Sequence, residues 1–97
     1  MKLRYTPRAI RDLAEIAEYL SARNPAAALV VREAIIRSLQ ALVLFPAIGR
    51  HQNVEGVRKR VERRYRYLVY YTVDEGADEV AILTIQHPSR SREYLDT

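Results

Sequence analysis

The side chains most able to do chemistry lie in one stretch of the chain. Between Arg50 and Arg66 stand Arg50, Arg58, Lys59, Arg60, Arg63, Arg64 and Arg66, opposed only by Glu55 and Glu62, while the rest of the sequence is nearly balanced and the formal net charge is +4. A basic stripe of this kind attracts an anionic partner, either nucleic acid or an acidic protein surface. Other chemistries find little support. There is no cysteine, which excludes a thiolate nucleophile, a thiolate metal site and a disulfide. The histidines, His51 and His87, are distant in sequence and make no metal-ligand set. The few glycines form no phosphate-cradling loop. Ser21, Ser38, Ser89 and Ser91 lack the context of an activated hydroxyl. No metal and no cofactor is expected.

A stripe of charge needs a scaffold. The 97 residues fit one domain, 1–97. A chain of this size buries roughly 60–65% of the surface its unfolded form exposes, so a bound partner adds materially to its stability. The start, Met1-Lys2-Leu3-Arg4-Tyr5, has no apolar run suited to a signal peptide. No stretch reaches the roughly 20 apolar residues of a membrane span. A cytoplasmic location is the expectation.

The elements follow from pattern. Lys2 to Tyr5 alternates and reads as a short strand. Thr6-Pro7 is a helix start, with threonine able to accept a backbone N–H bond and proline suited to the first helical position. Ile10, Leu13, Ala14, Ala17 and Leu20, widened by Ile16, then recur at helical spacing. Asn24-Pro25 repeats the start signal for a second, more apolar helix, Ala26 to Leu44. So short a connection predicts an antiparallel helical hairpin. Pro46 and Gly49 end it, and residues 47–56 read as irregular. Strands are predicted at Val57–Glu62, Tyr65–Asp74 and Glu79–His87, the last two joined by the turn Asp74-Glu75-Gly76-Ala77-Asp78. Their nearly continuous apolar runs predict central strands, shielded on both faces. The charged tail, Pro88 to Thr97, is expected to leave the sheet. The order β-α-α-β-β-β predicts an α+β fold, a helical hairpin on one face of a small, mainly antiparallel sheet.

In this order and spacing the pieces resemble the ParE/RelE superfamily of type II toxins. The resemblance rests on Tyr5-Thr6-Pro7 with Asp12-Leu13 and Tyr19-Leu20, and on Asn24-Pro25-Ala26-Ala27-Ala28. It continues through Phe45-Pro46, Ile48 and Gly49-Arg50, then Val57-Arg58, Tyr65, Tyr67 and Val69-Tyr70-Tyr71. It ends with Val80, Ile82-Leu83, Ile85, His87 and Arg90. It implies a toxin co-produced with an antitoxin that wraps around it. ParE-type members inhibit DNA gyrase, stall replication and stabilise plasmids. RelE-type members cut messenger RNA on the ribosome without a metal. The Pro46–Arg50 stretch and the helix-rich first half resemble ParE-type chains more closely. The resemblance then implies a gyrase inhibitor, with a target-binding set of Arg50, Arg58, Arg60, Arg66 and Arg90.

The ribonuclease alternative requires a base for the ribose 2′-hydroxyl, an acid for the leaving oxygen, and cations for the phosphorane. Its counterparts here are Glu62 or Lys59 as base, His87 as acid, arginines including Arg60 and Arg90 as clamps, and Tyr94 as a base-stacking ring. Strand alternation puts Arg58, Arg60 and Glu62 on one face and Lys59 on the other. The tyrosines of the sheet are expected to serve packing.

The antitoxin expectation comes from the second helix. Val30, Val31, Ile35, Ile36, Leu39, Leu42, Val43 and Leu44 cannot all face one thin sheet, and an exposed apolar area marks a binding surface. Val31, Ile35, Leu39 and Leu42 are assigned to the core. Leu20, Val30, Ile36 and Val43 are assigned to a ParD-like antitoxin, whose amphipathic helix would lie between the two helices and whose acidic tail would meet the basic stripe.

Overall fold

The computed structural model describes residues 1–88. Its elements are β1 (Lys2–Tyr5), α1 (Pro7–Arg23), α2 (Pro25–Leu44), β2 (Arg50–His51), β3 (Val57–Val61), β4 (Leu68–Asp74) and β5 (Glu79–Gln86). The Thr6 hydroxyl accepts the Ala9 N–H at 3.1 Å and also bonds the Ile82 and Leu83 carbonyls, so the cap of α1 is fastened to the sheet. Asn24 serves both helices. Its N–H donates to the Leu20 carbonyl and closes α1, while its Oδ1 accepts the Ala27 N–H and opens α2. With a single residue at the corner, the helices fold back on each other.

The sheet has the order β1-β5-β4-β3-β2, with β1 parallel to β5 and every other pair antiparallel. The expected α+β architecture is the one observed. Two details differ from the pattern reading. Arg50–His51, read as irregular, pairs with Lys59 and Arg58 as an edge strand. The β3–β4 connection is longer than expected, because the Glu62 N–H donates to the Tyr67 carbonyl at 2.8 Å and closes a loop over 62–67.

The core lies between the hairpin and one face of the sheet. Val31, Ile35, Leu39 and Leu42 of α2 pack on Tyr67, Val69, Tyr71, Val80, Ile82 and Ile85, as expected for that row of α2. In α1 the buried row is Ala9 with Leu13, Ile16 and Leu20. Ile10 is 58% exposed, so the helix is turned by about one residue, roughly 100°, from the stripe read in the sequence. The opposite face carries a second cluster of Val57, Leu68 and Tyr70 with Leu83, which explains the continuous apolar runs of β4 and β5.

A bulge sets which residues of β5 face the helices. Tyr70 pairs with Thr84 and Tyr71 with Ile82, leaving Leu83 as the extra residue. It allows Ile82 and Ile85, three apart, to share the core face. Asp12 of α1 fixes this point, since its Oδ2 accepts from the Thr84 hydroxyl and, at 3.0 Å, from the Ile85 N–H. Asp12→Ala is expected to destabilise the fold by about 2–3 kcal/mol, because two buried donors lose a charged acceptor. A urea titration checks this, and an unchanged midpoint would mean that the tether contributes nothing.

Candidate functional site

The cross-strand register divides the basic stripe. Arg50 lies opposite Lys59, and Lys59 opposite Tyr70; His51 lies opposite Arg58, and Arg58 opposite Tyr71. Directly opposed residues share a face. Arg58 and Arg60 therefore project to the helix side of the sheet, while Arg50 and Lys59 project to the other. Lys59 is thus apart from Arg58 and Arg60, as alternation required, and the five arginines assigned to one target surface do not form a single stripe. Arg66 sits at the end of the 62–67 loop with φ 69°, a backbone region costly for a residue with a Cβ, and its side chain is exposed. Arg90 and Tyr94 lie outside the described residues, as does the tail from residue 89 onward.

The arginines are not spent on carboxylates. Among the described residues the ion pairs join the N-terminus to Asp78, Arg4 to Glu79, and Arg37 to Glu33. Arg58 instead donates to the Ala47 and Gly49 carbonyls at 3.0 and 2.8 Å, bracing the segment after α2. This segment also rests on Tyr71, whose hydroxyl donates to the Pro46 carbonyl at 2.7 Å and accepts the Gly49 N–H at 2.8 Å. Burial pushes the Tyr71 phenol above its ordinary value of 10.0, against the opposing Gly49 hydrogen bond and the charges of Arg58 and Arg60. Arg60 keeps its Nε buried and without a partner among the described residues. Arg50 is the exposed cation of the edge strand.

The groups considered for acid–base chemistry come together at one end of the sheet. Glu62 is joined through its backbone to Tyr67, and the Tyr67 and His87 rings meet edge to face at 5.6 Å. The Glu62 carboxylate, however, is 4% exposed. One of its oxygens accepts the Arg64 N–H at 2.8 Å and the other the Tyr65 N–H at 2.7 Å. It caps the loop as a helix N-cap would, a use of glutamate that the usual Ser/Thr/Asp/Asn signature does not reveal. The Tyr67 phenol is raised from 10.0, first by burial and then by the neighbouring Tyr19 and Glu62. Tyr67, Tyr70 and Tyr71 are buried and serve packing. His87 is exposed beside Asp12, Glu15 and Glu18, which line the same cavity; those carboxylates disfavour a phosphate there. Among the described residues no cluster of acidic or histidine side chains is arranged to hold a metal ion, and no helix is long and apolar enough to cross a membrane.

An apolar groove of about 340 Å³ runs between the helices, walled by Leu13, Ile16, Ala17 and Leu20 of α1 and by Leu29, Ile35, Ile36 and Leu39 of α2. Leu20 and Ile36, assigned to a partner from sequence, line it. Val30, 40% exposed, and the half-buried Val43 do not. Leu29, 65% exposed, was missed. The signal was present, since Leu29 and Ile36 stand seven apart and form a second apolar row beside the core row.

The family model described as ParE toxin of type II toxin-antitoxin system, parDE, matches residues 3–92. The chain is 34% identical over 86 residues to Y4kP of Sinorhizobium fredii, named as a toxin, across 89% of this chain and 86% of that one. Its fold is similar to that of a chain from the chromosomal ParDE TA system of P. aeruginosa, with TM-score 0.77, 28% identity, and coverage of 90% of this chain and 95% of that one. A chain of the intact E. coli RelBE toxin-antitoxin complex superposes with TM-score 0.68 over 92% of this chain and 98% of that one, at 18% identity, a likeness of fold.

Proposed function

Since this chain belongs to the ParE toxin family of type II toxin–antitoxin systems, we propose that it acts by binding, as an inhibitor of DNA gyrase, and that a cognate antitoxin neutralises it. The observation that carries the binding reading is the state of Glu62. A general base must reach the proton it removes, and this carboxylate is buried with both oxygens on backbone N–H groups. Gyrase as the target rests on family resemblance. The exposed Arg50 and Arg66 and the half-buried Arg60 supply the cationic contacts of that interface, and Arg58 holds its shape.

The antitoxin reading rests on the groove. Its walls are apolar, it is open to solvent, and it has the form that receives one amphipathic helix. An acidic tail continuing from that helix would meet the cations of β2 and β3. The solved ParDE system, from a relative 28% identical to this chain, supports a partner of this kind.

Purified toxin mixed with gyrase is expected to block supercoiling or trap cleaved DNA. Primer extension on messages from cells expressing the toxin alone is expected to show no new 5′ ends. His87→Gln separates the two mechanisms, because the side chain is exposed and its loss spares the core. Gyrase inhibition and growth arrest are expected to persist. Removal of a general acid would instead cost about 10²–10⁴-fold in cleavage. New 5′ ends that vanish in His87→Gln would establish the ribonuclease.

A further inference from the structure

The neighbouring flank of α1 forms a second cavity whose charge runs against that of the chain. It encloses about 700 Å³ and is lined by Asp12, Glu15 and Glu18, with Arg8, across from Tyr67, Gln86 and His87. The protein as a whole is +4, yet here carboxylates outnumber the one guanidinium. Ile16, Tyr19 and Ile85 complete the walls and give the cavity apolar sides between its polar groups.

Gln86 is the independent sign of a ligand. It is 7% exposed. Its Nε2 donates to the Thr84 hydroxyl at 3.4 Å, and that hydroxyl donates onward to Asp12 Oδ2. This chain of donors fixes the orientation of the amide and leaves Gln86 Oε1 buried with no hydrogen-bond partner. A buried, unsatisfied carbonyl oxygen costs free energy until a donor reaches it. Asp12 is held in place by the same chain, and both bonds of its tether fall on Oδ2, so Oδ1 takes no part in it. The wall therefore presents pre-positioned acceptors and net negative charge, which a planar guanidinium with its fork of N–H donors satisfies.

We propose that this cavity binds an arginine side chain presented by a partner peptide, with Gln86 Oε1 and the carboxylates of α1 as acceptors and Tyr19, Ile16 and Ile85 against the flanking apolar residues. The volume argues for a peptide over a free cation, since one guanidinium fills only a fraction of it. The site is distinct from the inter-helix groove and does not depend on which target the toxin inhibits.

Titration of the full-length chain with the peptide acetyl-Leu-Arg-Leu-amide, followed by ¹⁵N NMR, tests it. Shifts are expected at the Gln86 side-chain amide and at the backbone of Glu15, Glu18 and Tyr67. The same peptide with citrulline for arginine is expected to bind about tenfold more weakly, the loss of a charge-assisted bond. Glu15→Gln with Glu18→Gln, at exposed helix positions, is expected to weaken the arginine peptide to a similar degree, and Gln86→Met to remove the acceptor while keeping side-chain length. Equal binding of the citrulline peptide, or arginine-peptide shifts that spare Gln86, would overturn the cation site. Agmatine binding as tightly as the arginine peptide would overturn the peptide as its source.

Discussion

Replacing Leu29 with glutamate is expected to weaken antitoxin binding on the order of a hundredfold, the scale of a central interface residue lost. Leu29 is a large apolar side chain left 65% exposed on the wall of the inter-helix groove. Glutamate is as good a helix former as leucine, and the position contributes little to the core, so the toxin itself should fold unchanged. A carboxylate on the groove wall must be desolvated when an apolar helix face settles over it, and it finds no partner there. Isothermal titration of the antitoxin into wild type and variant reads the effect. Ala77→Glu, exposed in the β4–β5 turn, is the control, expected to change affinity by no more than about twofold. Tight binding by Leu29→Glu would place the antitoxin elsewhere on the toxin.

Gly49→Ala should be the most damaging single methyl in the chain, at about 3 kcal/mol, an overpacking cost with a buried hydrogen bond strained in addition. A Cβ at this position would stand 2.5 Å from the Tyr71 hydroxyl, 2.7 Å from its ring and 3.0 Å from the Lys59 carbonyl. None of these can yield cheaply, since Tyr71 is fully buried and Lys59 is backbone within a paired strand. The damage would spread along the segment that Tyr71 and Arg58 hold, from Pro46 to Gly49. Thermal unfolding is expected to fall by roughly 12–24 °C for a domain of this size. Tyr71→Phe relieves the clash with the hydroxyl but leaves the Gly49 N–H and the Pro46 carbonyl unpaired, a loss of about 1–3 kcal/mol. A Gly49→Ala melting curve within a few degrees of wild type would show that the sheet edge gives way more readily than its packing implies.

Such effects could be anticipated from sequence only in part. Local signals were legible because they act over three or four residues. Thr6-Pro7 and Asn24-Pro25 open helices in any context that tolerates them, and the row Val31, Ile35, Leu39 and Leu42 can bury only as one face of a helix. The order of elements and the ParE/RelE resemblance followed from such signals. The alternation in β3 likewise placed Lys59 on the face opposite Arg58 and Arg60 before any coordinates.

The tertiary structure alone decided the rest. The bulge at Leu83 is invisible in an apolar run, because every residue there is a plausible core residue. Glu62 and Arg58 are charged in the sequence like their neighbours, yet one caps a loop and the other braces a segment. The register that separates Arg50 from Arg58 depends on where β2 pairs. The sequence thus determined the elements and the family, since helix caps and apolar periodicity are properties of neighbouring residues. Which charges remain for a partner was settled by hydrogen bonds and strand pairings between distant residues, and these exist only once the chain has folded.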